Sequence, residues 1–172
     1  SKSYAESKEI PVFSNEEEAL DHNSEHFIIK NNTANQEKPL LMSGSVGWEE
    51  WKLTSTKVLN YNYRFGWHPD FPNRYYYVDH YWFTSSKSTT FSVSISGGYG
   101  AFLVSVSSAS GSQSGYSLDA ISSKKSKPAV YGELLELTYN VKVFNGAGIQ
   151  TSSRTEKKND DRNTQAKVDY IQ

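Results

Sequence analysis

The sequence contains no cysteine, which excludes disulfide bonds and every thiolate chemistry. It also lacks a long apolar run: no stretch approaches the ~20 residues that a membrane-spanning helix needs, and the mean hydropathy is −0.67. The formal net charge is only −1, so the chain has no overall basic field that would attract a phosphate backbone. These absences argue against a membrane-embedded protein and against a nucleic-acid partner.

Catalytic motifs are also scarce. No serine lies in a nucleophile elbow, and no Gly-rich phosphate loop precedes a helix. The stretch HNSEH fits the H-x-x-E-H pattern, and a helix through it would place His22 and His26 one turn apart for zinc, with Glu25 as general base. However, the Asn-Ser pair inside the motif favours the end of a helix, and no later helix can supply a third ligand. We therefore expect no enzymatic activity, no metal and no cofactor.

Two further histidines leave an alternative open. His68 and His80 lie close in sequence to Asp70 and Asp79. Two imidazoles and two carboxylates can hold a metal, but such residues are more often surface groups or hydrogen-bonded core groups. The sequence does not decide between these interpretations.

The periodicity of the chain predicts strands with one helix. Ser14 as N-cap and Glu17 three residues later form a capping box, and Asn23 is a suitable left-handed stop. Residues 59–67 and 135–143 alternate apolar and polar side chains, as strands do. We predict an all-β fold, an antiparallel β-sandwich or open barrel of hairpins with one short helix near residues 15–22.

The domain organisation follows from length and local composition. A chain of 172 residues can bury one sizeable core, so we expect a flexible segment at 1–12 and a single β-rich domain at 13–172. Asn145-Gly146 predicts a type I′ hairpin turn. We expect the charged residues 152–163 to form an exposed loop before a last edge strand. The cluster of Lys124, Lys125 and Lys127 is expected to lie in a solvated loop.

Serine alternates with apolar residues in FSVSISGGYGAFLVSVSSASG, residues 91–111. Pairing Ser96 with Ala101, and therefore Val93 with Val104, places six apolar side chains on one face. The pattern resembles the membrane-inserting hairpins of β-pore-forming toxins. Each arm has only about 16 Å of apolar face at ~3.3 Å per residue, whereas the outward band of a membrane barrel is ~25 Å tall. We therefore expect this serine hairpin to pack on the core.

Aromatic residues are crowded between Tyr61 and Phe83, where 11 of 23 residues are Phe, Trp or Tyr. We predict a hairpin of two aromatic strands, residues 59–67 and 74–83, joined by the turn HPDFPN. Tyr and Trp join a flat apolar body to a polar tip, which suits stacking against the apolar face of a sugar ring. The predicted ligand-binding residues are Trp67, His68, Asp70, Tyr75, Tyr77, Tyr81 and Trp82.

These patterns lead to a hypothesis about function. The opening SKSYAESKEI has neither a methionine nor an apolar signal core, and Ser, Asn and Tyr are abundant, so we expect a processed, secreted protein. We expect a non-enzymatic binding module whose partner is a carbohydrate, a cell-envelope ligand or a surface protein. The alternative is a membrane-perturbing toxin or bacteriocin-like protein that acts through the serine hairpin.

Overall fold

A computed structural model of the protein describes residues 9–31, 46–71, 74–83, 89–95, 100–106 and 116–171. These residues are mostly β-strand with one short helix, which confirms the all-β class and the short N-terminal helix. Their arrangement as a sandwich or open barrel and the single domain stay predictions, and most of the predicted flexible segment lies outside the described residues. No helix in the described ranges has the length and apolar character needed to cross a bilayer.

The described elements are one helix and nine strands. In chain order they are β1 (Val12–Phe13), α1 (Glu16–Asp21), β2 (His26–Ile29), β3 (Trp48–Trp67), β4 (His80–Phe83), β5 (Thr89–Ser94), β6 (Ala101–Val106), β7 (Tyr116–Asp119), β8 (Ser126–Phe144) and β9 (Gln150–Tyr170).

The strands form three sheets. A five-stranded sheet has the order β1-β2-β3-β8-β9, while β4 pairs with β7 and β5 pairs with β6 in two separate two-stranded sheets. β1 runs parallel to β2, with α1 between them in the chain, and β2 runs antiparallel to β3. The predicted aromatic hairpin is therefore wrong, because β3 lies between β2 and β8, and β4 pairs with β7.

A bridge between Tyr76 and Ser126 explains this difference. The backbone N–H of each residue donates to the carbonyl of the other at 2.9 Å. The chain that leaves the turn after β3 is therefore held at the start of β8 instead of returning along β3. Residues 74–79 form no strand, and only His80–Phe83 of the predicted second arm does.

The helix α1 begins one residue later than the capping box predicts. Asn15, not Ser14, is the N-cap, and its side-chain oxygen accepts a hydrogen bond from the backbone N–H of Glu18 at 2.8 Å. The Ser14 hydroxyl instead lies 3.3 Å from the Glu18 carboxylate. Asn23 has a φ of 62°, so the predicted left-handed stop is confirmed.

The described residues divide into two compact units. Unit 1 comprises residues 1–56 and 137–157, and unit 2 comprises residues 57–136 and 158–172. In unit 1 the core is aromatic: Phe27 stacks on Trp51 at 5.6 Å, and Tyr139 meets both rings edge to face. In the same unit, Arg154 donates two hydrogen bonds to the Glu49 carboxylate, at 3.0 and 3.1 Å.

The charged stretch at 152–163 is not a loop. It belongs to β9, at the edge of the five-stranded sheet, and this corrects the sequence prediction. The turn before it contains five residues, 145–149, and the positive φ of 83° falls on Gly148. The Asn145 side chain organises this turn by accepting hydrogen bonds from the backbone N–H groups of Ala147 and Ile149.

The serine hairpin, β5 with β6, packs one face on the core of unit 2. Val93, Val104 and Val106 are at most 8% exposed and form a cluster with Phe65, Val130 and Leu134. The polar face carries exposed serine and threonine side chains, as expected. The register differs from the prediction by two residues, because Ser94 pairs with Ala101 and Val93 with Phe102. A slip of two keeps every side chain on its face, so alternation alone cannot distinguish these registers.

Candidate functional site

The seven residues predicted to bind a ligand lie in unit 2, but the structure places them in different environments. Tyr77 and Trp82 are 63% and 57% exposed, whereas His68 and Tyr81 are 3% and 4% exposed. Trp67 and Tyr75 are half-buried, and Asp70 is exposed. The predicted set is therefore not one surface.

Trp67 and Tyr75 belong to a cation–aromatic cluster around a buried lysine. Their rings meet edge to face at 5.6 Å, and the Lys127 ammonium lies 4.6 Å from the Trp67 ring centre and 5.8 Å from that of Tyr75. The Arg64 guanidinium lies 3.8 Å from the centre of the Trp67 ring. Lys127 is only 1% exposed, so its predicted place in a solvated loop is wrong. Burial, followed by the charge of Arg64, lowers the pKa of Lys127.

His68 is a structural residue at the start of the turn. Its backbone N–H donates to the Pro128 carbonyl at 2.9 Å, and its ring Nδ1 accepts from the backbone N–H of Asp70 at 3.2 Å. Burial lowers the pKa of His68, and the charge of Asp70 opposes this shift. The imidazole therefore fixes the turn that leaves Asp70 exposed.

Tyr81 is buried because it anchors β4 to the start of β8. Its hydroxyl donates to the Ser126 carbonyl at 2.9 Å and lies 2.7 Å from the Ser126 hydroxyl. Its ring packs edge to face on Phe71 and Tyr76. Tyr81 is thus part of the core, whereas the next residue, Trp82, points outward.

Tyr77 is the most exposed aromatic residue among the seven predicted residues. Tyr76 and Ser126 form an antiparallel bridge. The residue after Tyr76, which is Tyr77, therefore lies close to the residue before Ser126, which is Lys125. The Lys125 ammonium lies 5.9 Å from the centre of the Tyr77 ring. An exposed phenol therefore stands beside an exposed cation.

A second pair of the same kind lies next to it. The Lys124 ammonium is 5.9 Å from the Tyr170 ring centre, and the Tyr170 hydroxyl accepts a hydrogen bond from the backbone N–H of Ile121 at 3.0 Å. The backbone N–H of Ile171 donates to the Lys125 carbonyl at 3.1 Å, which joins the two pairs. We call Tyr77, Ile121, Lys124, Lys125, Tyr170 and Ile171 the Tyr–Lys surface.

Sequence reasoning missed most of the Tyr–Lys surface. All six members are at least 37% exposed or belong to the exposed turn at 121–125. The dense aromatic residues at 61–83 indicate a site that includes Tyr77, but no other aromatic residue lies near Tyr170 in the sequence of β9. For Lys124 and Lys125 the sequence predicts only a solvated loop.

The HNSEH motif is divided between two elements. His22 is the C-cap of α1, while His26 lies in β2 with its Nε2 2.7 Å from a Glu50 carboxylate oxygen. The His80 Nδ1 lies 2.7 Å from an Asp79 carboxylate oxygen, and the His80 residue is exposed. Across the described ranges, no three histidine, aspartate or glutamate side chains are grouped closely enough to hold a metal.

The most perturbed carboxylates lie elsewhere in unit 2, on β9. The backbone N–H of Asp161 donates to the Asp160 carboxylate at 2.8 Å. Burial and the adjacent charge of Asp160 raise the pKa of Asp161 to about 7, and burial also raises the pKa of Asp160. The Asp161 carboxyl is therefore partly protonated at neutral pH.

The comparisons with known proteins add no assignment. No protein-family model, curated protein or solved structure matches this chain, so the candidate site rests on the chain's own residues.

Proposed function

We propose that the protein is a secreted, non-enzymatic recognition module that binds a cell-surface or cell-envelope carbohydrate through Tyr77 and the residues around it. The observation that carries this proposal is the 63% exposure of Tyr77 beside Lys125. A large ring left in water offers an apolar face to a sugar ring, and its hydroxyl remains available for hydrogen bonds. Trp82 and Asp70 are further exposed candidates, whereas Trp67 and Tyr75 pack around Lys127, and His68 and Tyr81 are buried.

The surrounding structure suits such a role. The Tyr76–Ser126 bridge and the buried Tyr81 hydroxyl fix the segment that carries Tyr77. A rigid support lowers the entropic cost of binding, because the side chain is already placed when the ligand arrives. We propose that Tyr77 and its neighbours lie on the β-sandwich or open barrel that the sequence predicts.

Replacing Tyr77 with alanine is expected to weaken carbohydrate binding about tenfold or more, which corresponds to ~1.4 kcal/mol, and to leave the melting temperature unchanged. Tyr61→Ala is the matched control, because Tyr61 is 73% exposed and lies outside the Tyr–Lys surface. The measurement is retention on a panel of immobilised polysaccharides together with a thermal melt of each variant. A destabilised Tyr77→Ala variant with unchanged binding would contradict the proposal, as would a wild-type protein that binds no polysaccharide.

A second candidate function rests on the serine hairpin. β5 and β6 pair only with each other among the described strands, and their apolar face is held on unit 2 by side-chain packing. The sequence from Thr84 to Gly115 contains one charged residue, Lys87, in 32 residues. A nearly uncharged, separately paired hairpin can leave its site and enter a lipid bilayer at lower electrostatic cost than a charged one.

The second candidate predicts that the wild-type protein releases dye from lipid vesicles and that a tether stops this release. Thr164 of β9 hydrogen bonds to the Ser105 carbonyl of β6, so Ser105→Cys with Thr164→Cys places a crosslink between the hairpin and the body. Since the chain has no other cysteine, the disulfide is unambiguous, and reduction should restore release. Absence of leakage from neutral and anionic vesicles at micromolar protein would reject this function.

A further inference from the structure

The Tyr–Lys surface has two cations, Lys124 and Lys125, that no carboxylate in the described ranges neutralises. In the part of the chain that the structure describes, Arg64 pairs with Asp169 at 2.9 Å, whereas no described carboxylate forms an ion pair with Lys124 or Lys125. Both lysines are exposed and lie in the turn at 121–125. Their charges are therefore available to a ligand.

A third cation lies on the chain segment that carries Tyr77. The Arg74 guanidinium lies 4.7 Å from the Tyr76 ring centre and is exposed, one residue before the segment that carries Tyr77. Asp79, the acidic residue that follows this segment, is bound to His80 at 2.7 Å. The segment that carries Tyr77 therefore also carries an exposed cation, and the acidic residue that ends it is bound to a histidine.

We propose that the Tyr–Lys surface selects an anionic polysaccharide, one with carboxylate, sulfate or phosphate groups along its chain, over a neutral polysaccharide. This inference rests on the proposed function. The tyrosine rings would stack on sugar rings, while Lys124 and Lys125 would each bind a negatively charged substituent. Two ring–cation pairs joined by the hydrogen bond from Ile171 to Lys125 suit a polymer that carries both sugar rings and charges. The lysine–ring distances of 5.9 Å lie at the outer limit of cation–π attraction, so the ammonium groups can turn toward an anion at little cost.

The test compares polymers that differ only in charge. Polygalacturonate and its fully methyl-esterified form share the same sugar rings, but only the first carries carboxylates. We expect the wild-type protein to bind polygalacturonate at least tenfold more tightly than the ester, and this preference to shrink as salt is raised, because exposed charges are screened. The Lys124→Glu, Lys125→Glu double variant should lose the preference without a change in melting temperature.

A matched control separates local charge from net charge. Lys52→Glu with Lys142→Glu changes the net charge by the same amount at two exposed positions of unit 1, and it should bind like the wild type. Equal, Tyr77-dependent binding of the acid and the ester would overturn this inference while leaving the proposed function intact. Binding of neither polymer, nor of heparin or dextran, would overturn both. Equally tight binding of a single-stranded oligonucleotide such as poly(dT) would overturn the polysaccharide class.

Discussion

Replacing Val104 with aspartate is expected to lower the free energy of unfolding by about 4 kcal/mol or more, because it buries an unpaired charge. Val104 is 0% exposed and packs in one cluster with Phe65, Val130 and Leu134. A carboxylate at this position would lose its hydration and meet only apolar side chains. The change in free energy can be measured by urea denaturation followed by tryptophan fluorescence.

The adjacent residue supplies the control. Leu103 lies on the same strand, points to the opposite face and is 51% exposed. Leu103→Asp should therefore change stability by no more than about 0.5 kcal/mol. Similar unfolding curves for the two variants would show that β5 and β6 are not packed on unit 2 in solution.

Replacing Asp161 with asparagine is expected to stabilise the protein at pH 8 by about 2 kcal/mol, roughly half of what the pKa shift alone implies because solvent screens this half-exposed carboxyl, and by less at pH 5. The folded-state pKa of Asp161, about 7, lies above its ordinary value of 3.8, because the carboxyl is partly buried beside Asp160. A raised pKa means that the folded state holds the proton more tightly than the unfolded state. Stability from this group is therefore present at low pH and is lost as the pH rises from about 4 through 7.

Denaturant unfolding of the wild type and of Asp161→Asn at several pH values from about 4 to 8 tests this expectation. The two proteins should converge at low pH and separate as Asp161 ionises. Asp119→Asn, at an exposed carboxylate of β7, should follow the wild type throughout. A variant that is destabilised equally at every pH would contradict the assignment, since it would point to a lost hydrogen bond instead of a removed charge.

Much of the fold could be predicted from alternation, but its pairing could not. Period two identified which faces of residues 91–95 and 102–106 are buried, because burial decides the face of every second residue. It could not choose between registers that differ by two residues. It also could not show that β3 turns away from β4, because that depends on the distant bridge between Tyr76 and Ser126.

The charged residues of β9 misled the prediction for a physical reason. Dense charge is typical of a loop, yet it also suits an edge strand, where Lys, Arg, Asp and Glu discourage pairing with another chain. In β9 these charges are partly satisfied within the sheet: Arg162 meets Glu133, and Tyr131 donates to Asp169. A single sequence does not distinguish a solvated loop from a charged edge strand.

The candidate site was found in part. Aromatic density pointed to Tyr77 and Trp82, both of which are exposed, but also to Tyr81, which is core. Exposure of an aromatic ring depends on what packs over it, and the sequence does not contain that information for residues 74–79, which form no strand. The partners of Tyr77 come from the turn at 121–125 and from the end of β9, remote in the chain, so only the structure could assemble them.

The neighbours β3 and β8 are separated along the chain by all of residues 68–125. Closing such a long loop costs entropy before the pairing of the two strands offsets it. β5 and β6, which follow one another closely, can pair as soon as both have been synthesised, while β3 must wait for β8. The nascent chain therefore completes its five-stranded sheet late, only after β8 and β9 have been made.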